Sequence, residues 1–240
     1  MLFLLPPSQT QRKGGLPLSI DQVALTFGGL NPARETIFKA LDEVGRDLQT
    51  ASTLPALDRI TGTLYDALHG RGLKGTPTEH NELTAAERSV AKQLLLIQTA
   101  VFGLIPADDL IPECRVSATD RVPGVNLAKV WTESHDKGVW PRLGEQAPLI
   151  DLRSKAYAAL APIPDEIESY AVDVELLAED GTRQRLNHFN KKAKGQFLRA
   201  VLQAKTAPGT LKDLAKCAKA AGLGFEQSGG TITLLTSALA

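Results

Sequence analysis

The chain has 240 residues, 43% of them apolar, and its 27 basic residues balance 27 acidic ones. That apolar share suffices for a sizeable core and argues against disorder, while zero net charge gives no overall bias toward an anionic partner. No window approaches the roughly 18 apolar residues of a spanning helix, and the apolar opening, residues 1–7, is too short for a signal segment and ends in Pro6-Pro7, so a cytoplasmic protein without a membrane partner is expected.

Taken in chain order, Leu2, Phe3, Leu4 and Leu5 predict a strand running into a Pro-Pro-Ser loop. Asn31 as cap and Pro32 in the first turn open a helix whose apolar stripe is Ile37, Leu41, Val44 and Leu48. Residues 54–68 read as helical in part, with a break at Thr61-Gly62, and residues 69–82 read as loop. Gly70, Gly72 and Gly75 match a dinucleotide-binding spacing on paper, but a helix precedes them and Thr76-Pro77 follows, so the context is wrong. Thr84 and Glu87 form a capping-box pattern for a helix leading into Leu94, Leu95, Leu96 and Ile97, which reads as a buried strand. A loop follows over residues 106–115, then a helix around residues 127–134 with Val130 and Trp131 near one face. Residues 148–152 read as a second buried strand, followed by a short helix bearing Tyr157.

Beyond Pro164 the pattern changes. Tyr170, Val172, Val174 and Leu176 alternate at period two, Asp180-Gly181 supplies a turn, and residues 182–189 return as a strand. Asn190 caps a helix to about Lys205. Thr210 and Asp213 cap another that stops at Gly222, and a β-hairpin turning at Ser228-Gly229-Gly230 closes the chain. The expected fold is mixed α/β (α+β): a central mixed sheet with flanking helices, a C-terminal basic αα-hairpin at residues 190–221 and a terminal β-hairpin, all in one domain, 1–240.

Charge is segregated within this neutral chain. Residues 187–221 hold eight basic residues against the single acid Asp213, a net +7, which leaves −7 on the rest. Lysines in the first turn of a helix are unfavourable beside unpaired N–H groups, whereas an anion bound there would reverse the sign of the effect. Lys191, Lys192, Lys194, Arg199, Lys205, Lys212 and Lys216 are therefore the candidate phosphate-binding set. Gly195 inside the same helix points to a close approach by another backbone or a ligand.

Other chemistry is sparse. His69, His80, His135 and His188 show no metal-ligand spacing, so no metal or cofactor is expected; His188, just before the lysines, is the histidine of most interest. Cys114 and Cys217 lie far apart and read as packed thiols. No nucleophile elbow or Walker motif occurs. Catalytic candidates are the polar residues near predicted strand ends, where α/β folds place ligands: Tyr65, Asp109, Arg115, Ser154 and Tyr157. Arg115 suits a phosphate or carboxylate, and Asp109 either orients Arg115 or acts as a base; the alternative is a buried Asp-Arg pair that fixes loops.

Several segments together carry a family resemblance: Leu2-Phe3-Leu4-Leu5-Pro6-Pro7-Ser8, Ile60-Thr61-Gly62-Thr63-Leu64-Tyr65-Asp66, Phe102-Gly103-Leu104 through Asp109 to Arg115, Trp131, Ile150-Asp151-Leu152-Arg153-Ser154 with Tyr157, and His188-Phe189-Asn190-Lys191-Lys192-Ala193-Lys194-Gly195. In this order they resemble the motifs of the YaaA peroxide-stress protein family. The resemblance implies a bacterial cytoplasmic protein with a central sheet and a positively charged cleft. It also implies a role in limiting intracellular iron and oxidative DNA damage, and DNA binding through a helix-hairpin-helix-like element that falls here on residues 190–221. The chain departs from the family pattern in three places: Gln9, Thr10 and Gln11 stand where a lysine is usual, Cys114 replaces a tyrosine, and Asp151 replaces an asparagine.

Two functions follow as expectations. One is a monomeric protein that holds double-stranded DNA by its phosphates, with little sequence reading. The other is an enzyme acting on a nucleoside, nucleotide or other phosphate-bearing small molecule, with Tyr65, Asp109, Arg115, Ser154, Lys191 and Lys192 around one pocket.

Overall fold

The computed structural model describes residues 1–46, 48, 51–71, 82–186 and 190–237. The apolar run at the start of the chain forms β1 (Leu2–Leu5), buried at all four positions. Strands so short and so uniformly apolar suit the centre of a parallel sheet, where both faces are covered. β3 (Leu95–Thr99) and β6 (Leu149–Asp151) flank β1 and run parallel to it, with Leu4 opposite Leu96 on one side and Asp151 on the other.

β7 (Ser169–Leu177) continues the sheet beside β6, and β10 (Thr231–Thr236) beside β7, both parallel. β4 (Gly103–Pro106) and β9 (Gly224–Ser228) close the two edges antiparallel to their neighbours, giving the order β4-β3-β1-β6-β7-β10-β9. β7 outruns β6: its first three residues pair with β6, while Glu175, Leu176 and Leu177 pair with β8 (Arg183–Arg185), the eighth strand. Of the predicted return over residues 182–189, Arg183–Arg185 form strand, and residues 187–189 lie outside the described residues. β2 (Thr53–Pro55) and β5 (Leu110–Pro112) form a separate two-stranded ribbon within segments read as helix and loop.

Helices cover this sheet. α1 (Asn31–Asp42) begins one residue earlier than capping by Asn31 implies: Leu30 is the cap residue, and Asn31 is the first helical residue with Pro32 beside it. Ile37, Leu41 and Leu48 are buried, but Val44 is 51% exposed, because the helix has already ended and the chain turns through Gly45 at φ +75°. α2 (Ala56–Arg59) and α3 (Thr63–His69) are separated at the predicted break, where Gly62 takes φ +103°. A side chain on Gly62 would also stand 2.9 Å from the Ser8 and Thr10 hydroxyls.

α4 (Ala85–Leu94) opens on the predicted capping box: Thr84 accepts from the Glu87 N–H at 3.2 Å, and Glu87 accepts from the Thr84 N–H at 2.6 Å. α5 (Leu127–Gly138) buries Trp131, whose Nε1 donates to the Ala100 carbonyl at 2.9 Å and whose ring fills the space above Gly103. α6 (Trp140–Gly144) and α7 (Lys155–Ala158) are short. α8 (Asn190–Gln203) and α9 (Leu211–Ala220) pack against each other, α8 lying also on α3, α4 and β7. Phe197 of α8 meets Phe3 of β1 edge to face, with ring centroids 6.4 Å apart. Gly195 is where α8 touches α3: a side chain there would lie 2.2 Å from the Leu64 carbonyl, so the close approach expected from the sequence is by another backbone.

The ends of α3 and α4 are joined by charge. Arg71 donates to both carboxylate oxygens of Glu82, at 2.8 and 3.3 Å, and His69 lies 3.3 Å from the same group. Gly70 ends α3 at φ +71°; Gly72, Gly75, His80 and His188 lie outside the described residues. No helix among the described residues is long and apolar enough to cross a membrane.

Candidate functional site

The sheet has a topological switch point at β1. The chain leaves β1 toward β3 on one side and later returns to β6 on the other, so the carboxyl ends of β1 and β6 flank the position where open α/β sheets receive ligands. Two buried polar side chains reach this edge from the touching helices α3 and α8. Tyr65, 1% exposed, donates its hydroxyl to the Pro6 carbonyl at 2.8 Å, and burial, with Tyr157 nearby, pushes its phenol well above the ordinary range. Lys194 donates to the Leu152 carbonyl at 3.1 Å, and burial pulls its ammonium down to about 8 against the opposing pull of Asp151 and Asp173. Lys194 thus points inward, away from the exposed lysines with which the sequence groups it.

The remaining catalytic candidates are dispersed. Asp109 is buried and accepts from the Thr26 N–H at 2.9 Å and the Thr26 hydroxyl at 2.7 Å; burial raises its pKa. The Arg34 guanidinium opposes that rise, whereas Arg115 pairs with Glu113 at 2.7 Å, so the expected Asp109-Arg115 pair is not formed. Ser154 is exposed at the start of α7. Tyr157 and Arg115 do line one cavity, with Pro7, Ser8, Gln11 and Cys114, but its volume is about 20 Å³, enough for about one water molecule. Of the six side chains proposed to share a substrate pocket, Arg115 alone lines this cavity.

Two of the three departures from the family pattern meet in that wall. Gln11 donates to the Cys114 carbonyl at 2.7 Å and accepts from the Cys114 N–H at 2.9 Å, so the pair closes the loop onto itself. Burial pushes the Cys114 thiol up to about 11 and raises that of Cys217 as well, which keeps both protonated and poorly nucleophilic near neutral pH. Asp151, the third departure, holds Arg153 bidentately at 2.9 and 2.8 Å while Arg153 also donates to the Ala161 carbonyl.

The buried Arg34 escapes sequence reading. It donates to the Phe102 and Thr26 carbonyls and to Asn31, at 2.9, 3.0 and 2.8 Å, and burial lowers it to about 10. Its only signal was position, since Arg34 shares a helical face with Ile37 and Leu41.

The basic surface is built on α8 and α9. Lys191 is exposed and Lys192 half-buried in the first turn of α8, which carries no acid; the cap position before Asn190 lies outside the described residues. Lys205, Lys212, Lys216 and Lys219 are exposed, with Lys216 reaching Asp213 at 2.9 Å. Arg199 is half-buried and donates to the Leu68 carbonyl at 3.1 Å, so it ties α8 to α3. Among the described residues no group of three His, Cys, Asp or Glu side chains lies together in a way that could hold a metal ion.

Comparison with known proteins bears on the whole chain. A UPF0246 protein of Corynebacterium glutamicum strain R is 32% identical over 254 residues, covering 95% of this chain and 96% of the relative. One from Corynebacterium efficiens is 32% identical, covering 98% and 99%, and one from Streptomyces coelicolor 29% identical, covering 94% and 91%. The family model described as peroxide stress protein YaaA matches residues 1–228. With that match spanning all but the last twelve residues, the chain belongs to the peroxide stress protein YaaA family.

Proposed function

We propose that this chain is a cytoplasmic DNA-binding protein of the peroxide-stress response. It contacts backbone phosphates through α8 and α9, used as a helix-hairpin-helix-like element, and limits iron-dependent oxidative damage to the DNA it covers. The observation that carries this reading is the display of Lys191, Lys212, Lys216 and Lys219 on two consecutive helices whose only acid is Asp213, with Lys205 exposed just past the end of the first. Such a cluster attracts phosphates even on a neutral molecule, and the first turn of α8 gains rather than loses stability when an anion sits there. Base reading plays a small part, since aromatic, Asn and Gln side chains are few along these helices. The family's name supports the stress role. Half-buried Cys114 and buried Cys217, with raised thiol pKa values, speak against direct capture of peroxide by cysteine.

The test is duplex binding across a salt series, with the wild type beside Lys191→Ala/Lys212→Ala/Lys219→Ala. Lys194→Ala is left out because it would disturb the interior. The wild type should bind with log affinity falling linearly in log salt, and the triple variant should show a slope shallower by roughly one for each phosphate it no longer neutralises. A wild type that fails to bind at low salt would overturn the reading.

A further inference from the structure

A groove of about 850 Å³ lies between α5, α6 and the residues that lead into β7. Its apolar lining comes from Trp140, Pro141, Pro162, Pro164 and Ile167, and its charged lining is wholly acidic: Asp136, Glu166 and Glu168, with no lysine or arginine. All three acids are exposed, and none takes part in an ion pair among the described residues; the Glu168 carboxylate accepts from the Tyr170 hydroxyl at 2.8 Å. The neighbouring base Arg142 is turned away onto the ring of Phe27, 6.0 Å from its centroid. An apolar slot with a negative rim suits cations carried on aliphatic stems, which is the chemistry of a row of lysines.

The same molecule carries such a row. Lys212, Lys216 and Lys219 are exposed at spacings of four and three along α9, on the side opposite the buried Leu214, Cys217 and Ala218. Groove and row belong to different parts of the fold, since α5 packs with α6 and α1 while α9 packs with α8 and β9. The +7 of residues 187–221 against −7 elsewhere makes the neutral molecule electrically two-sided.

We propose that the acidic groove of one copy receives the lysine face of α9 from a second copy, head to tail. Because the two surfaces differ, the contact does not close on itself, and association produces chains of growing length rather than a symmetric dimer. Exposed charges supply the attraction, so it is weak and sensitive to screening.

Sedimentation velocity of the full-length chain, with no DNA present, tests this independently of the duplex-binding reading. Between about 0.01 M and 1 M salt the screening length falls from about 30 Å to about 3 Å. At the low end the mean mass should rise with protein concentration past that of a dimer, and at the high end the chain should sediment as a monomer. Glu166→Gln/Glu168→Gln removes one face and Lys212→Gln/Lys219→Gln the other, so each variant alone should stay monomeric at low salt. Mixed in equal amounts, they should form a particle of twice the mass and nothing larger, since each retains one intact face. A wild type that is monomeric at every concentration in low salt overturns the proposal. So does assembly that the groove substitutions leave unchanged, or a mixture that stays monomeric.

Discussion

Gly195 shows how one side chain's absence sets the position of a helix. With the Leu64 carbonyl 2.2 Å from where a Cβ would stand, and the Ala67 methyl 2.7 Å away, Gly195→Ala cannot be accommodated without moving α8 off α3. The helix gains about 1 kcal/mol in propensity from alanine, yet overpacking of this kind costs about 1–3 kcal/mol or more, so the variant should have a lower denaturant midpoint. His135 is the matching case for charge. Its Nδ1 must donate to the Trp131 carbonyl at 2.7 Å, which leaves a neutral ring packed between Trp131 and Trp140. Burial, with Arg153 and Arg34 adding to it, pulls the imidazole down to about 4. A histidine so depressed takes up a proton more readily unfolded than folded between pH 6.5 and 4, so stability falls as pH falls through that window. The loss between pH 7 and pH 5 should be about 2 kcal/mol, and urea titrations of His135→Leu should lack that component. Burial of charge was what the sequence hid at this scale. Arg34 and Arg59 carried no signal of burial and Lys194 read as one of a phosphate-binding set, because residues of these types are usually exposed; only the assembled carbonyls around them show otherwise.

At the scale of elements, legibility followed the strength of local signals. The Thr84-Glu87 box marked the start of α4 because two orphan backbone donors can be satisfied only by those side chains at that spacing. Thr84→Ala should cost about 1 kcal/mol, read as a shift in thermal midpoint with little change elsewhere. β1, β3 and β6 were visible as short apolar runs, and β7 as an alternation, because burial on two faces or one imposes those patterns. β2 and β5 were not visible, being three residues each with a proline in both, and they owe their pairing to neighbours distant in sequence. α9 was legible from charge and from its Thr210 cap, whereas α8 was legible from charge alone, since it begins at Asn190 itself rather than after it. The dispersal of Tyr65, Asp109 and Arg115 was not, because strand-end positions say nothing about which partner each group finds.

The whole molecule joins its two ends through one sheet. β1 is central, β10 lies three places along, and the helix nearest the lysine cluster packs on a phenylalanine of β1. Neither half therefore has a separate sheet to retain, and a single unfolding transition is expected, with far-ultraviolet circular dichroism and the fluorescence of Trp131 and Trp140 coinciding across a denaturant series. Two resolved transitions would instead divide the chain into separate domains. The pair formed by Arg71 and Glu82 bears on how such a molecule changes over evolution. Arg71 follows α3 and Glu82 precedes α4, and they hold each other directly. A buried guanidinium left without its carboxylate costs more than the pair itself contributes. A change at either residue thus has to be answered at the other for α3 and α4 to keep their junction, so the two positions are expected to vary together among relatives.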